Sequence, residues 1–272
     1  MTATLEAPPL MERVTQVVRV GVERVRATAT MGPLAWHETW RERGRGHPAA
    51  VDHGPHLDAA IAWLCHAQDA TGTGGIARGY GLANNSDCGG RGWQPAYPET
   101  TGYIIPTLYF AARQLGRMDL YRRAEKAARW ELTVQDGSGA IPGGVVGQSS
   151  GPAVFNTGQV MLGWLRASTE TGDTVFADAA RRAGQYLISV LDADGIWRRG
   201  NSRFARPDAT LYNARAAWAL AVAGARCESP AFTAGAKMAL AAVARQQHAN
   251  GWFPHCCLTD PDRPLVHTLA YT

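Results

Sequence analysis

Charge is scarce in this chain: Asp, Glu, Lys and Arg make up 18% of its 272 residues and leave a net +4. The arginines are scattered and no lysine–arginine run forms, which excludes a basic nucleic-acid-binding surface. Long apolar runs are missing too. No stretch reaches the roughly 18 to 20 apolar residues that cross a bilayer, so no membrane span is expected. The opening MTATLEAPPLMERV has an acid and no apolar core, unlike a secretory signal. Cysteine is sparse: Cys65, Cys88, Cys227, Cys256 and Cys257 form no disulfide framework by count or spacing. Free thiols and a cytoplasmic location are the expectation. The glycines of TGTGGIARGYG follow no strand, so they are not a phosphate-binding loop and read as a flexible lip. Apolar residues account for 46% of the chain, the composition of a folded globular protein.

What is present is a repeat. Gly139, Gly195 and Gly251 stand 56 residues apart, each after an apolar run and a polar break. Thr100, Asn156, Asn213 and His267 keep nearly the same period, and each opens a new apolar run. Gly116, Gly172 and Gly224 close those runs, as C-terminal helix caps do. Each unit therefore holds two helices. The first, as in NTGQVMLGWLRASTETG, is apolar nearly all round and suits enclosure by other helices. The second, as in VFADAARRAGQYLISVL, is apolar every three to four residues and keeps one face wet. Pro106 falls inside the first enclosed helix, where a kink is expected.

An enclosed helix alternating with a half-exposed one predicts an all-α fold, an α/α toroid with an inner ring of helices inside an outer ring. Open helical solenoids use shorter repeats, about 33 to 47 residues. Residues 1–50 read as an N-terminal amphipathic helix and linker, and 51–272 as the toroid domain. VHTLAYT begins a fourth inner helix and stops, so the ring is expected to be incomplete or truncated at its C-terminus.

The inner-to-outer turns are short and the outer-to-inner connections long, so the long ones gather on one face, where sites are built. Asp87, Trp93, Tyr97, Glu99, Arg198, Arg199 and Asp208 lie on those connections, and Tyr103, Asn156, Gln159, Tyr212, Asn213 and His267 at the starts of inner helices. Aromatic faces, carboxylates and amides together suit a sugar ring and its hydroxyls. Glu99, after Pro98, reads either as an N-terminal helix acid or as a general acid/base assisted by Tyr97 or Tyr103, with Asp87 or Asp208 as its partner. WRRGNSRFARPD places four arginines in one loop, either as solvated charge or as a site for a uronate, sulfate or phosphate. HCC at 255–257, with Cys88 and His267, has ligands soft enough for zinc. No CxxC or HxxxH spacing supports it, so a packed thiol pair, no metal and no cofactor are expected. His53, His56 and His66 read as structural.

RAGQYLISVLDADGIW resembles the Gln-Trp repeat of terpenoid cyclases, with Leu191 in the place of Gln; KAARWELTVQDGSGAI keeps Gln135, QQHANGWF keeps Gln247, and AWLCHAQDATG is a weaker copy. The cyclases' Asp-x-Asp-Asp run and their DDxxD motif are absent, and LDADG is the nearest approach. GWQPAYPETTGYIIPTLY, FNTGQVMLGWLRA and NGWFPHCCLTDPDRPLVHTLAYT resemble bacterial toroid proteins associated with exopolysaccharide synthesis, distant kin of six-hairpin glycosidases and sugar epimerases. The resemblance runs from about residue 55 to the end and supplies no catalytic residue to carry over. It implies a carbohydrate-active enzyme that hydrolyses, eliminates or epimerises an acidic glycan unit. The alternatives are a non-catalytic glycan-binding or scaffold toroid and a terpenoid cyclase or prenyltransferase-like enzyme. The expected partner is a glycan or sugar substrate, and the sequence fixes no oligomeric state.

Overall fold

The computed structural model describes residues 10–43, 52–82, 90–148, 151–201, 205–256 and 265–272, some side chains of the first two helices excepted. Its contacts divide the chain into two compact units: Met1–Ala59 with Gly79–Gln94, and Ala60–Arg78 with Pro95–Thr272.

In the first unit lie α1 (Leu10–Ala29), α2 (Pro33–Arg43) and the start of α3 (Gly54–Asp69), with a hairpin of β1 (Tyr80–Gly81) and β2 (Gly92–Trp93). The hairpin pairs Tyr80 with Trp93 and Gly81 with Gly92. The Tyr80 and Trp93 rings meet edge-on, 5.2 Å between centroids.

The second unit holds the end of α3, then α4 (Pro98–Leu115), α5 (Met118–Val134), α6 (Val154–Thr171), α7 (Thr174–Ser189), α8 (Ala214–Arg226), α9 (Pro230–Ala244) and α10 (Val266–Tyr271). The even-numbered helices α4, α6 and α8 pack side by side, and each packs on the odd-numbered helix that follows it. Twelve of the 18 residues of α6 are buried, on every side of the helix, which marks it as enclosed. On α7 the buried residues, Phe176, Ala179, Ala180, Ala183, Gly184, Tyr186 and Leu187, fall every three to four positions, leaving the other face wet.

The inner helices approach closely because glycine stands at each crossing. A Cβ on Gly102 would lie 2.8 Å from the backbone N of Val160, and one on Gly158 would lie 2.8 Å from the Cα of Ala216. Contacts in the same register along successive helices make α4, α6 and α8 parallel, with their N-termini at one end. Pro106 does not break α4, which continues through it. Proline removes the donor that the Gly102 carbonyl would use, and that carbonyl faces Gly163 of α6, whose Cβ would lie 3.1 Å away.

The turn glycines of the 56-residue period have a double role. Gly139 and Gly195 adopt φ of +90° and +89°, open to glycine and strained for other residues. Each also presses on the next outer helix: a Cβ would come within 2.4 Å of the Arg182 carbonyl oxygen or 2.6 Å of that of Met238. Glutamine ties the same joint. The Gln135 amide donates to Gly139 O and Ala179 O, both at 3.0 Å, and Gln68 donates to Gly74 O and Arg123 O at 2.8 and 3.0 Å.

One glycine expectation fails. Gly116 and Gly172 do cap α4 and α6 in left-handed conformation, but α8 runs past Gly224 to Arg226. A 3-10 turn at Leu211–Asn213 delays the start of α8. Gly224 lies inside the helix, where a Cβ would meet Thr233 Oγ1 at 2.5 Å, so it permits the close packing of α9.

Candidate functional site

Three long connections lead into the N-termini of α4, α6 and α8, and the polar residues there converge. Glu99, in the first turn of α4, is half-buried, and its Oε2 accepts a 2.5 Å hydrogen bond from the Tyr97 hydroxyl. Burial raises the pKa of Glu99 above the ordinary carboxylate range, against the opposing pull of that hydrogen bond and of the Arg78 charge. Tyr97 is pushed up by its own burial and by the Glu99 charge, and Asn156 also reaches its hydroxyl. The Asn156 amide is fixed by donating to Pro142 O at 3.0 Å. A half-buried carboxyl whose pKa is raised, hydrogen-bonded to a phenol, has the character of a proton donor.

Aromatic rings surround this pair. Phe155 lies 6.4 Å from Tyr103, 5.5 Å from Tyr212 and 5.2 Å from Tyr271. Tyr103 and Tyr271 stack at 6.5 Å. The Tyr103 hydroxyl is buried without an aligned hydrogen-bond partner, and burial, Tyr271 and Glu99 together raise its pKa. His267 is exposed and meets Tyr271 edge-on at 6.0 Å. Gln159 is buried and accepts from Arg215 Nε at 3.2 Å.

Arg215 is the residue that sequence reasoning missed. Its guanidinium sits 5.7 Å from the Tyr103 ring, 4.9 Å from Trp218 and 5.6 Å from Tyr271. The signal was available: Tyr103, Gln159, Arg215 and Tyr271 are spaced by 56, one turn inside each inner helix. One column of the repeat therefore meets itself around a common centre.

The other residues singled out from sequence lie apart from this cluster or outside the described residues. Asp87 is among the latter, with Cys88, Arg203 and Cys257. Asp208 is exposed, and Arg206 binds its carboxylate through two hydrogen bonds of 3.0 and 2.9 Å, which lower its pKa. Arg198 and Arg199 bind Asp192, and Arg198 also holds Asp194, lowering that carboxyl to about 2. Asn213 donates to Asn201 at 3.0 Å, and its own Oδ1 is buried without a partner. Trp93 belongs to the first unit. Cys256 is buried near Thr272 Oγ1, at 3.3 Å. Among the described residues no three His, Cys, Asp or Glu side chains gather as metal ligands would, and no helix is long and apolar enough to cross a membrane.

No family profile and no curated protein sequence matches the chain. Solved structures do. An unsaturated glucuronyl hydrolase specific for heparin superposes with a TM-score of 0.55 at 17% identity, over 75% of this chain and 51% of that one. The Lin0763 protein of Listeria innocua superposes with a TM-score of 0.54 at 13% identity, over 72% of this chain and 56% of that one. The fold is an α/α toroid. The chain spans about half the length of the solved proteins it matches.

Proposed function

We propose that this toroid is a carbohydrate-active enzyme of exopolysaccharide metabolism, acting in the cytoplasm on an acidic glycan, with Glu99 as the proton-transfer group. The observation that carries the reading is Glu99 itself: a half-buried carboxyl with a raised pKa, hydrogen-bonded to Tyr97 at the mouth of the inner helices. Tyr103 and Tyr271, partly exposed and stacked on each other, offer aromatic surface for a sugar ring, backed by the buried Phe155 and Tyr212. The fold likeness to a hydrolase of unsaturated glucuronyl units supports an acidic substrate. Protonated Glu99 would donate to the leaving oxygen, and its conjugate base would then recover a proton from water or from the sugar. Glu99→Gln keeps the shape and hydrogen-bonding capacity of the side chain and removes the proton. It should abolish turnover of uronic-acid oligosaccharides, read by mass spectrometry of products, with the melting temperature within a degree or two; retained turnover rejects the role.

A second reading, a glycan-binding scaffold, draws on one feature. Among the described residues the groups that shift the Glu99 carboxyl are Tyr97 and Arg78, and no second carboxylate is among them. Hydrolysis ordinarily uses two carboxyl groups about 5 to 10 Å apart. Tight oligosaccharide binding with no product at any pH would select the scaffold.

A further inference from the structure

Between α4, α6 and α8 lies a cavity of about 390 Å³, lined by residues of all three inner helices. Its wall carries Arg166, Arg215 and Arg226, and among the described residues no Asp or Glu lines it. One acid stands behind the wall: Glu170, its side chain 3% exposed, lies 2.7 Å from both Arg113 and Arg166. Arg113 and Arg166 thus share a single carboxylate. Arg215 is bound to Gln159 and stacked on aromatic rings, and Arg226 donates to Thr169 Oγ1 at 3.1 Å, so neither is neutralised by a salt bridge among the described residues.

Two lining residues carry buried donors without a partner. Gln159, 1% exposed, accepts from Arg215 through Oε1, and its Nε2 is buried without a partner. Arg166 Nε is likewise buried and unpartnered. A buried amide N–H left unsatisfied is costly to a fold, which retains it readily where a ligand supplies the acceptor. Trp218, 47% exposed, presents an apolar face beside these donors. Unpartnered donors, two arginines without a salt bridge and the Trp218 face together describe a site for an anionic group on a sugar.

We infer that this cavity is an anion-reading subsite, in which Arg215 with Gln159, and Arg166 with Arg226 beyond them, take the carboxylate or sulfate oxygens of a glycan longer than one sugar. Arg198 and Arg199, already occupied by Asp192 and Asp194, are not needed for the acid group. The inference deepens the acidic-glycan reading and rests on it only for the sugar. Glu99 does not line the cavity, so acid preference in binding survives Glu99→Gln, whereas turnover does not.

The test is isothermal titration of the whole chain with trigalacturonate and with its neutral methyl ester, in wild type, Arg215→Gln, Arg226→Gln and Arg226→Lys. Wild type should bind the acid at least about tenfold more tightly than the ester, the value of one charge-assisted hydrogen bond. Each glutamine substitution should weaken the acid by about tenfold and leave the ester unchanged, while Arg226→Lys retains most of the preference. Arg226 is exposed at a helix end, so its variants should keep the wild-type melting temperature. Inorganic sulfate should compete with trigalacturonate. Equal affinity for acid and ester, a preference that survives both glutamine substitutions, or sulfate that binds without competing would each overturn the assignment.

Discussion

Glu131 gives the sharpest test of the energetics. It lies in the last turn of α5, fully buried, and neither carboxyl oxygen has a hydrogen-bond partner. Burial raises its pKa well above the ordinary carboxylate range. Its counterparts one and two repeats on are Leu187 and Val243, both buried and apolar, so Glu131→Leu substitutes the residue that the same position carries elsewhere. Two terms follow. Removing a buried, unsatisfied carboxyl gains about 1–3 kcal/mol at any pH. The second term depends on pH. A carboxyl whose pKa is raised in the fold binds more protons folded than unfolded, so its contribution grows less favourable as pH rises, from the ordinary carboxylate range up to the raised folded value. The slope is about 1.4 kcal/mol per pH unit. Urea denaturation of wild type and Glu131→Leu at pH 5 and pH 6 should find the variant more stable at both. The gap should widen as pH rises through that interval, by at most about 1.4 kcal/mol. A variant less stable than wild type, or a gap that ignores pH, would refute the claim that this carboxyl is buried, unpartnered and raised in pKa.

Two further outcomes are expected. Tyr97→Phe deletes the hydrogen bond that pulls the Glu99 pKa down, so that pKa should rise further. Under the proposed role of Glu99 as proton donor, the alkaline limb of kcat/KM should move to higher pH, and a shift the other way would contradict that role. Gly139→Ala meets both a φ of +90° and a backbone oxygen 2.4 Å from the new Cβ, and should lose about 3 kcal/mol or more. Gly251→Ala, at φ +85° with its nearest neighbour 4.0 Å away, should lose only the backbone share of about 1–2 kcal/mol. Thermal melts of the pair check the contrast.

The sequence displays its architecture wherever a residue type is dictated by backbone geometry. Glycines at 139 and 195 must be glycine both for φ and for contact, so their period was visible without coordinates. Gly224 broke the reading because a helix-packing glycine and a capping glycine look alike in sequence. The site was only partly legible. Glu99, Tyr97 and Tyr103 stood out through clustering near Pro98, whereas Arg215 stands alone between alanines and draws attention only through its 56-residue column. The loop arginines misdirected attention, because their aspartate partners at 192 and 194 precede them by only four to seven residues and satisfy them locally.

The glutamine joints have a mechanical corollary. Gln68 fastens α3 to α5, and Gln135 fastens α5 to α7. At the following joint Leu191 replaces the amide with a hydrocarbon, so the zipper along the outer layer has one blank tooth. In an array where each hairpin leans mainly on its neighbours, resistance to opening is set joint by joint. The α8–α9 hairpin, which carries Arg215 and Arg226, therefore meets α7 without that amide tie, through the packing of Ile188 and Leu191 on Gly235 and an Arg245 hydrogen bond to Asp194 O at 3.3 Å.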